Sequence, residues 1–140
     1  MPVQKIDINM EFRRPVGELF ALLSDHEKMG PILGANVKRT RDGKDSLNGL
    51  GSVRTLNIGP LPSFDETVTA FEKDKLVEYK ITRGSPLKNH KGVMQFYPSG
   101  SGGSKLHYMI EFESKIPLLG PVVRAGLENS IRRGLKKLQE

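Results

Sequence analysis

Between residues 35 and 116 the chain alternates six times between a short β-type segment and a turn. The segments are "ANVKRTR", "GSVRTLNI", "DETVTAFEK", "LVEYKITR", "KGVMQFYP" and "SKLHYMIEFES", all rich in Val, Ile, Thr, Tyr and Phe. The strings "RDGKDSLNG", "GPLPS", "KDK", "GSPLKN" and "SGSGG" separate them and carry turn residues. Short connections of this kind predict an antiparallel meander, and its apolar face must be covered by something else. "KIDINMEF" adds a strand before the meander: Ile6, Ile8, Met10 and Phe12 point one way, Lys5, Asp7, Asn9 and Glu11 the other.

The candidate covers are helical. In "RRPVGELFALLSDHEKMGPIL", Pro15 suits a first helical turn, and Val16, Leu19, Phe20 and Leu23 repeat with helical period. That helix should end near Ser24 and Asp25. Met29, Ile32 and Leu33 suggest a second apolar turn, broken by Gly30 and Pro31. Gly120 and Pro121 then start a final helix running to about Leu138, with Leu127, Ile131, Leu135 and Leu138 on one face. The expectation is one α+β domain over residues 1–140, a curved seven-stranded antiparallel sheet wrapped around the C-terminal helix, with two short helices after the first strand.

One helix does not fully cover a curved sheet, so a gap is expected. Ser130 and Gly134 lie in the apolar stripe of the last helix, with Gly126 at its border. Glycine inside a helix costs about 1 kcal/mol relative to alanine. Either these small residues leave space for a ligand, or they let the helix press on a bulky strand residue such as Tyr108.

Composition removes several function classes. The absence of cysteine excludes disulfides, cysteine-based zinc or iron–sulfur sites and a thiol nucleophile. The opening "MPVQKIDINMEF" has no apolar core of a signal peptide, and no apolar run is long enough to span a membrane; a cytoplasmic location is expected. Lys and Arg number 22 against 16 Asp and Glu, a formal charge of +6. Only Arg132, Arg133, Lys136 and Lys137 cluster densely, on the flank of the helix away from Leu127, where a solvated face belongs. With no Trp and no basic run interleaved with aromatics, no specific nucleic-acid binding is expected.

The element order and several strings resemble the SRPBCC superfamily, the START-domain, Bet v 1-like, polyketide cyclase/dehydrase and lipid-transport group with the helix-grip fold. The strings are "RPVGELFALLSD", "NGLGSVRTLNIG", "NHKGVMQF", "GGSKLHYMIEF" and "IPLLGPVVRAGLENSIRRGLKKL", spread over nearly the whole chain. The resemblance implies a cavity between sheet and C-terminal helix that holds an apolar or amphipathic small molecule. Its expected lining is Met10, Met29, Leu33, Tyr79, Ile81, His90, Met94, Phe96, Tyr108, Ile110, Leu127, Ser130, Ile131 and Gly134. Such a fold hosts many reactions and names none.

Groups for chemistry are sparse. His26 and His107 are expected at the surface, and His90 at the cavity end, as a rim histidine or a pocket acid/base. Tyr79 and Tyr108 share parity with apolar neighbours, so each is a core tyrosine or a hydrogen-bond partner for a ligand carbonyl. Glu111 and Glu113 should face solvent, and the adjacent Asp65 and Glu66 point to opposite faces. Histidine spacing supports no metal site, "GLGS" precedes a strand and not a phosphate-binding helix, and no serine sits in a nucleophile elbow. No cofactor is expected, and a monomer or homodimer is expected. The leading reading is a carrier of a small hydrophobic ligand. A polyketide cyclase or dehydratase using His90, Tyr79 and Tyr108 comes next, then a basic module for an acidic partner or anionic membrane.

Overall fold

The computed structural model describes residues 3–58 and 62–139. Strand β1 (Gln4–Phe12) is followed by helices α1 (Val16–Ser24) and α2 (His26–Leu33), strands β2 (Asn36–Arg41), β3 (Val53–Asn57), β4 (Phe64–Glu72), β5 (Leu76–Arg83), β6 (Leu87–Pro98) and β7 (Ser104–Ser114), then helix α3 (Leu119–Gln139). All neighbours pair antiparallel in the order β1-β7-β6-β5-β4-β3-β2. The fold is therefore the expected α+β sheet gripping a C-terminal helix. The turn expected at 59–63 lies partly outside the described residues.

Alternation sets the sheet faces. Ile6, Ile8 and Phe12 are buried while Lys5, Asp7, Asn9 and Glu11 are exposed. Strand β6 begins at Leu87, earlier than its hydrophobic period suggests. Asn89 takes φ 53° and the register shifts between Lys88 and Lys91, a bulge that turns Leu87 and His90 to the same side. The free edge of β1 is tied down by α3: Arg132 Nη2 donates to the Asp7 carbonyl at 3.4 Å and Gln139 Nε2 to the Glu11 carbonyl at 2.8 Å.

The helices depart from expectation at one point. Gly30 and Pro31 do not break α2; the helix starts at Asp25, whose carboxylate accepts from the Glu27 and Lys28 amides, and stops at Gly34 with φ 80°. Gly30 instead marks where β2 crosses, since a Cβ there would lie 2.9 Å from the Ala35 carbonyl and from Val37 Cγ2. Helix α1 buries Leu19, Phe20 and Leu23, with Phe20 edge-on to Phe71 and Phe96 at 5.5 and 5.0 Å. Among the described residues no helix is long and apolar enough to cross a membrane.

On α3, Ile131 and Leu135 are buried, Leu127 and Leu138 half-buried, and Arg133, Lys136 and Lys137 exposed. Gly134 faces neither a cavity nor Tyr108. A Cβ at Gly134 would collide with the backbone carbonyl of Ile32, so α3 packs there directly on α2. Gly126 has open space around its missing Cβ.

The two glycines should therefore respond oppositely. Gly134→Ala forces two backbones apart and is expected to cost about 1–3 kcal/mol. Gly126→Ala meets no atom and is expected to stabilise by up to about 1 kcal/mol through helix propensity. Urea denaturation of both variants checks the pair, and equal effects would contradict the α2–α3 contact.

Candidate functional site

A cavity of about 340 Å³ lies between the sheet, α2 and α3. Pockets for small organic ligands start near this size, roughly 300–1,000 Å³. Helix α2 contributes Met29 and Leu33, β5 Tyr79 and Ile81, β6 Leu87 and His90, β7 Tyr108 and Ile110, and α3 Leu127, Ser130 and Ile131. Leu56, Phe64 and Glu66 close the side formed by β3 and β4, while Leu119 and Val123 extend the wall along α3.

Ten of the fourteen expected lining residues thus meet around one space. Met10, Met94, Phe96 and Gly134 do not. Phe96 packs under Phe20, and α1 covers that half of β6. Met94 is fully buried, Met10 is half-buried opposite Leu106, and Gly134 is filled by α2. Met94 and Phe96 have the inward parity expected of them but occupy the packed half of the sheet, Met10 borders a separate surface pocket, and Gly134 lies at a helix–helix contact.

One wall of the cavity is polar, and its origin is a pair of charges on neighbouring strands. Arg54 and Glu66 are directly opposite in the β3–β4 register, both turned inward, and 1% and 6% exposed. Arg54 Nε donates to Glu66 Oε1 at 2.8 Å, and Nη2 lies 2.7 Å from the same oxygen. The guanidinium also sits 4.4 Å over the Tyr79 ring. Asp65 faces outward, where Arg83 grips it at 2.7 and 3.0 Å and holds its carboxyl below the usual range.

His26, expected at the surface, is 1% exposed. Its position at the start of α2 places the ring against β3. Arg54 Nη1 approaches Nδ1 at 3.2 Å, and a guanidinium only donates, so Nδ1 accepts and Nε2 donates to Ser52 Oγ at 2.8 Å. Burial, then the Arg54 and Arg39 charges, lowers its pKa to about 3. His107 is half-buried and bonds Asp7 at 2.8 Å on the outer face.

His90 does line the cavity. Its Nδ1 accepts the Ile81 backbone N–H at 3.0 Å, which places the ring proton on Nε2, 3.8 Å from Glu66 Oε2. Burial lowers its pKa and outweighs the opposing pull of Glu66, while Arg54 lowers it further. The Tyr79 and Tyr108 hydroxyls hydrogen-bond each other, and burial raises both: Tyr79 well above 10 and Tyr108 to about 12. Gly92, opposite Tyr79 across the ladder, makes room for that ring, since a Cβ there would collide with it. The wall therefore presents one carboxylate, backed by the buried guanidinium, together with neutral imidazole and phenol groups. Among the described residues no group of three His, Cys, Asp or Glu could hold a metal.

The family model for polyketide cyclase / dehydrase and lipid transport matches residues 3–140. No curated protein matches the chain in sequence. Among solved structures, norcoclaurine synthase from Thalictrum flavum, in complex with dopamine and hydroxybenzaldehyde, superposes with a TM-score of 0.71 at 14% identity, over 98% of this chain and 86% of that one. A START superfamily protein from Mycobacterium smegmatis superposes with a TM-score of 0.76 at 16% identity, over 96% and 92%. Likenesses this distant show the fold.

Acid titration should expose the buried imidazole. His26 stays neutral in the folded protein down to about pH 3 but takes up a proton near pH 6.5 when unfolded. Its contribution is complete above the unfolded value and is lost as pH falls, by at most about 1.4 kcal/mol per pH unit. His90, shifted the same way, adds to the slope. Stability from urea titrations should therefore drop between pH 7 and pH 5, and His26→Gln should flatten that drop. An unchanged slope would mean that His26 titrates normally.

Proposed function

The chain belongs to the polyketide cyclase/dehydrase and lipid transport family, and from that premise we propose that it binds and carries a small, largely apolar molecule with one polar end. The observation that carries this reading is the asymmetry of the cavity: aliphatic side chains of α2, α3, β6 and β7 form most of it, and Glu66, His90, Tyr79 and Tyr108 gather on one wall. Ligand sites are typically apolar with a few placed polar groups that fix orientation. A water molecule takes about 30 Å³ of liquid, so 340 Å³ accommodates on the order of ten to fifteen non-hydrogen atoms.

A cyclase or dehydratase activity is the second reading, favoured by the nearness of His90 to Glu66 and by the small aromatic molecules held in norcoclaurine synthase. The protonation states favour carriage. His90 has no free lone pair while Nδ1 accepts from Ile81, so it donates and does not abstract a proton. Both tyrosines hold their protons far above neutrality. Of the Glu66 oxygens, Oε1 is engaged by Arg54 and Oε2 alone is left to accept.

Native mass spectrometry of freshly purified protein should reveal a co-purifying small molecule, and an apolar fluorescent probe should bind after its removal. Ser130→Leu places a larger apolar side chain in the lining, so it should lower probe capacity with stability unchanged or raised. A parent protein that binds no probe and carries no ligand would overturn the proposal. Turnover that His90→Ala abolishes would promote the enzyme reading.

A further inference from the structure

We propose that the polar end of the ligand is a neutral hydroxyl, of an alcohol or a phenol, that donates to Glu66 Oε2 and accepts from His90 Nε2–H. The inference rests on the binding reading above and adds the chemical class of the occupant.

The argument is a count of donors and acceptors on the polar wall. Glu66 has two oxygens, and Arg54 takes Oε1 through Nε, with Nη2 in ionic contact with that same atom. Oε2 faces His90 and forms no hydrogen bond among the described residues; 3.8 Å to Nε2 is too long for one. The His90 proton is held on Nε2 by the backbone bond to Nδ1, so a donor and an acceptor stand side by side at the cavity wall, each without a partner. The tyrosine pair adds a second donor. Two hydroxyls carry two protons, one is used between Tyr79 and Tyr108, and neither hydroxyl bonds any other group among the described residues.

Charge decides between head groups. Arg54 and Glu66 neutralise each other, and Arg54 does not reach the cavity surface. A carboxylate head would lie against the Glu66 carboxylate, and an ammonium head would be desolvated beside a carboxylate already paired with a guanidinium. An ionised group buried without its own counter-charge is strongly disfavoured. A ketone or ether accepts from His90 but leaves Oε2 unpaired, and an unpaired buried acceptor carries a penalty of its own. A hydroxyl satisfies both atoms at once. An oxygen seated between them accepts from Nε2–H with a lone pair and turns its own proton to Oε2.

The test is displacement of a bound apolar fluorescent probe by four molecules on one ten-carbon chain: decanol, decyl methyl ether, decanoate and decylamine. Decanol is expected to displace the probe at a concentration roughly tenfold or more below each of the others. In His90→Leu, decanol should lose about tenfold in affinity, measured against that variant's own affinity for the probe. Decanoate, decylamine or the ether matching or exceeding decanol in the parent protein overturns the hydroxyl assignment and leaves the binding reading standing. A parent protein that takes up neither the probe nor any of the four overturns the binding reading itself. The parent series decides the matter even if His90→Leu does not fold.

Discussion

A guanidinium that is 1% exposed has no water to solvate it, so every group within reach must answer to its charge. Arg54 meets most of that demand with three different chemistries, and Nη2, in ionic contact with Glu66, is left without a hydrogen bond among the described residues. Glu66 supplies the counter-charge, His26 a neutral nitrogen lone pair, and Tyr79 the face of its ring. Each partner is constrained in return: the imidazole stays unprotonated beside a cation, and the ring must lie over a strand position that only glycine leaves open. One residue on β3 thereby reinforces what burial already imposes on α2's first residue, a neutral imidazole, and shapes the cavity wall on the neighbouring strands.

The same charge orders the site from behind. Arg54 is not part of the cavity surface, yet it holds Glu66 so that one oxygen turns inward to the sheet and the other toward His90. The polar wall is the exposed side of a buried electrostatic cluster. Its net neutrality follows from that cluster and not from the ligand.

Much of this was legible in the sequence, and the misses share a cause. Alternation along "KIDINMEF" and "SKLHYMIEFES" and the helical stripe of "GLENSIRRGLKKL" defined the elements, the sheet face and ten lining residues. Alternation reports which face a side chain takes, but not which half of the sheet a helix covers, so Met94 and Phe96 were assigned to a cavity that α1 has already filled. Arg54 and Glu66 were missed because long charged residues are ordinarily exposed. Their signal was nonetheless present: Arg54 is in phase with Leu56, and Glu66 with Phe64 and Val68, so opposite charges fall on inward positions of consecutive strands. His26 carried no such mark. Its burial comes from side-chain contacts with Ser52 and Arg54, tertiary contacts with no local period. Gly134 was recognised as unusual, but the backbone it touches belongs to α2, which lies about a hundred positions away in the chain.

Helix α3 is a beam supported at both ends, for Gly120 is buried against Gln4 of β1 and the last turns are fastened more heavily. Near its C-terminus it rests on Ile32 at Gly134, Leu135 is wholly enclosed, Arg132 and Gln139 are fastened to β1, and the Leu138 carbonyl is held by Arg14 at 3.2 Å. Toward the N-terminus it spans the cavity on half-buried Val123 and Leu127, with nothing against Gly126. The space beneath the rod is thus set by the size of the side chains on its middle span, Val123, Leu127 and Ser130, without remodelling of the sheet.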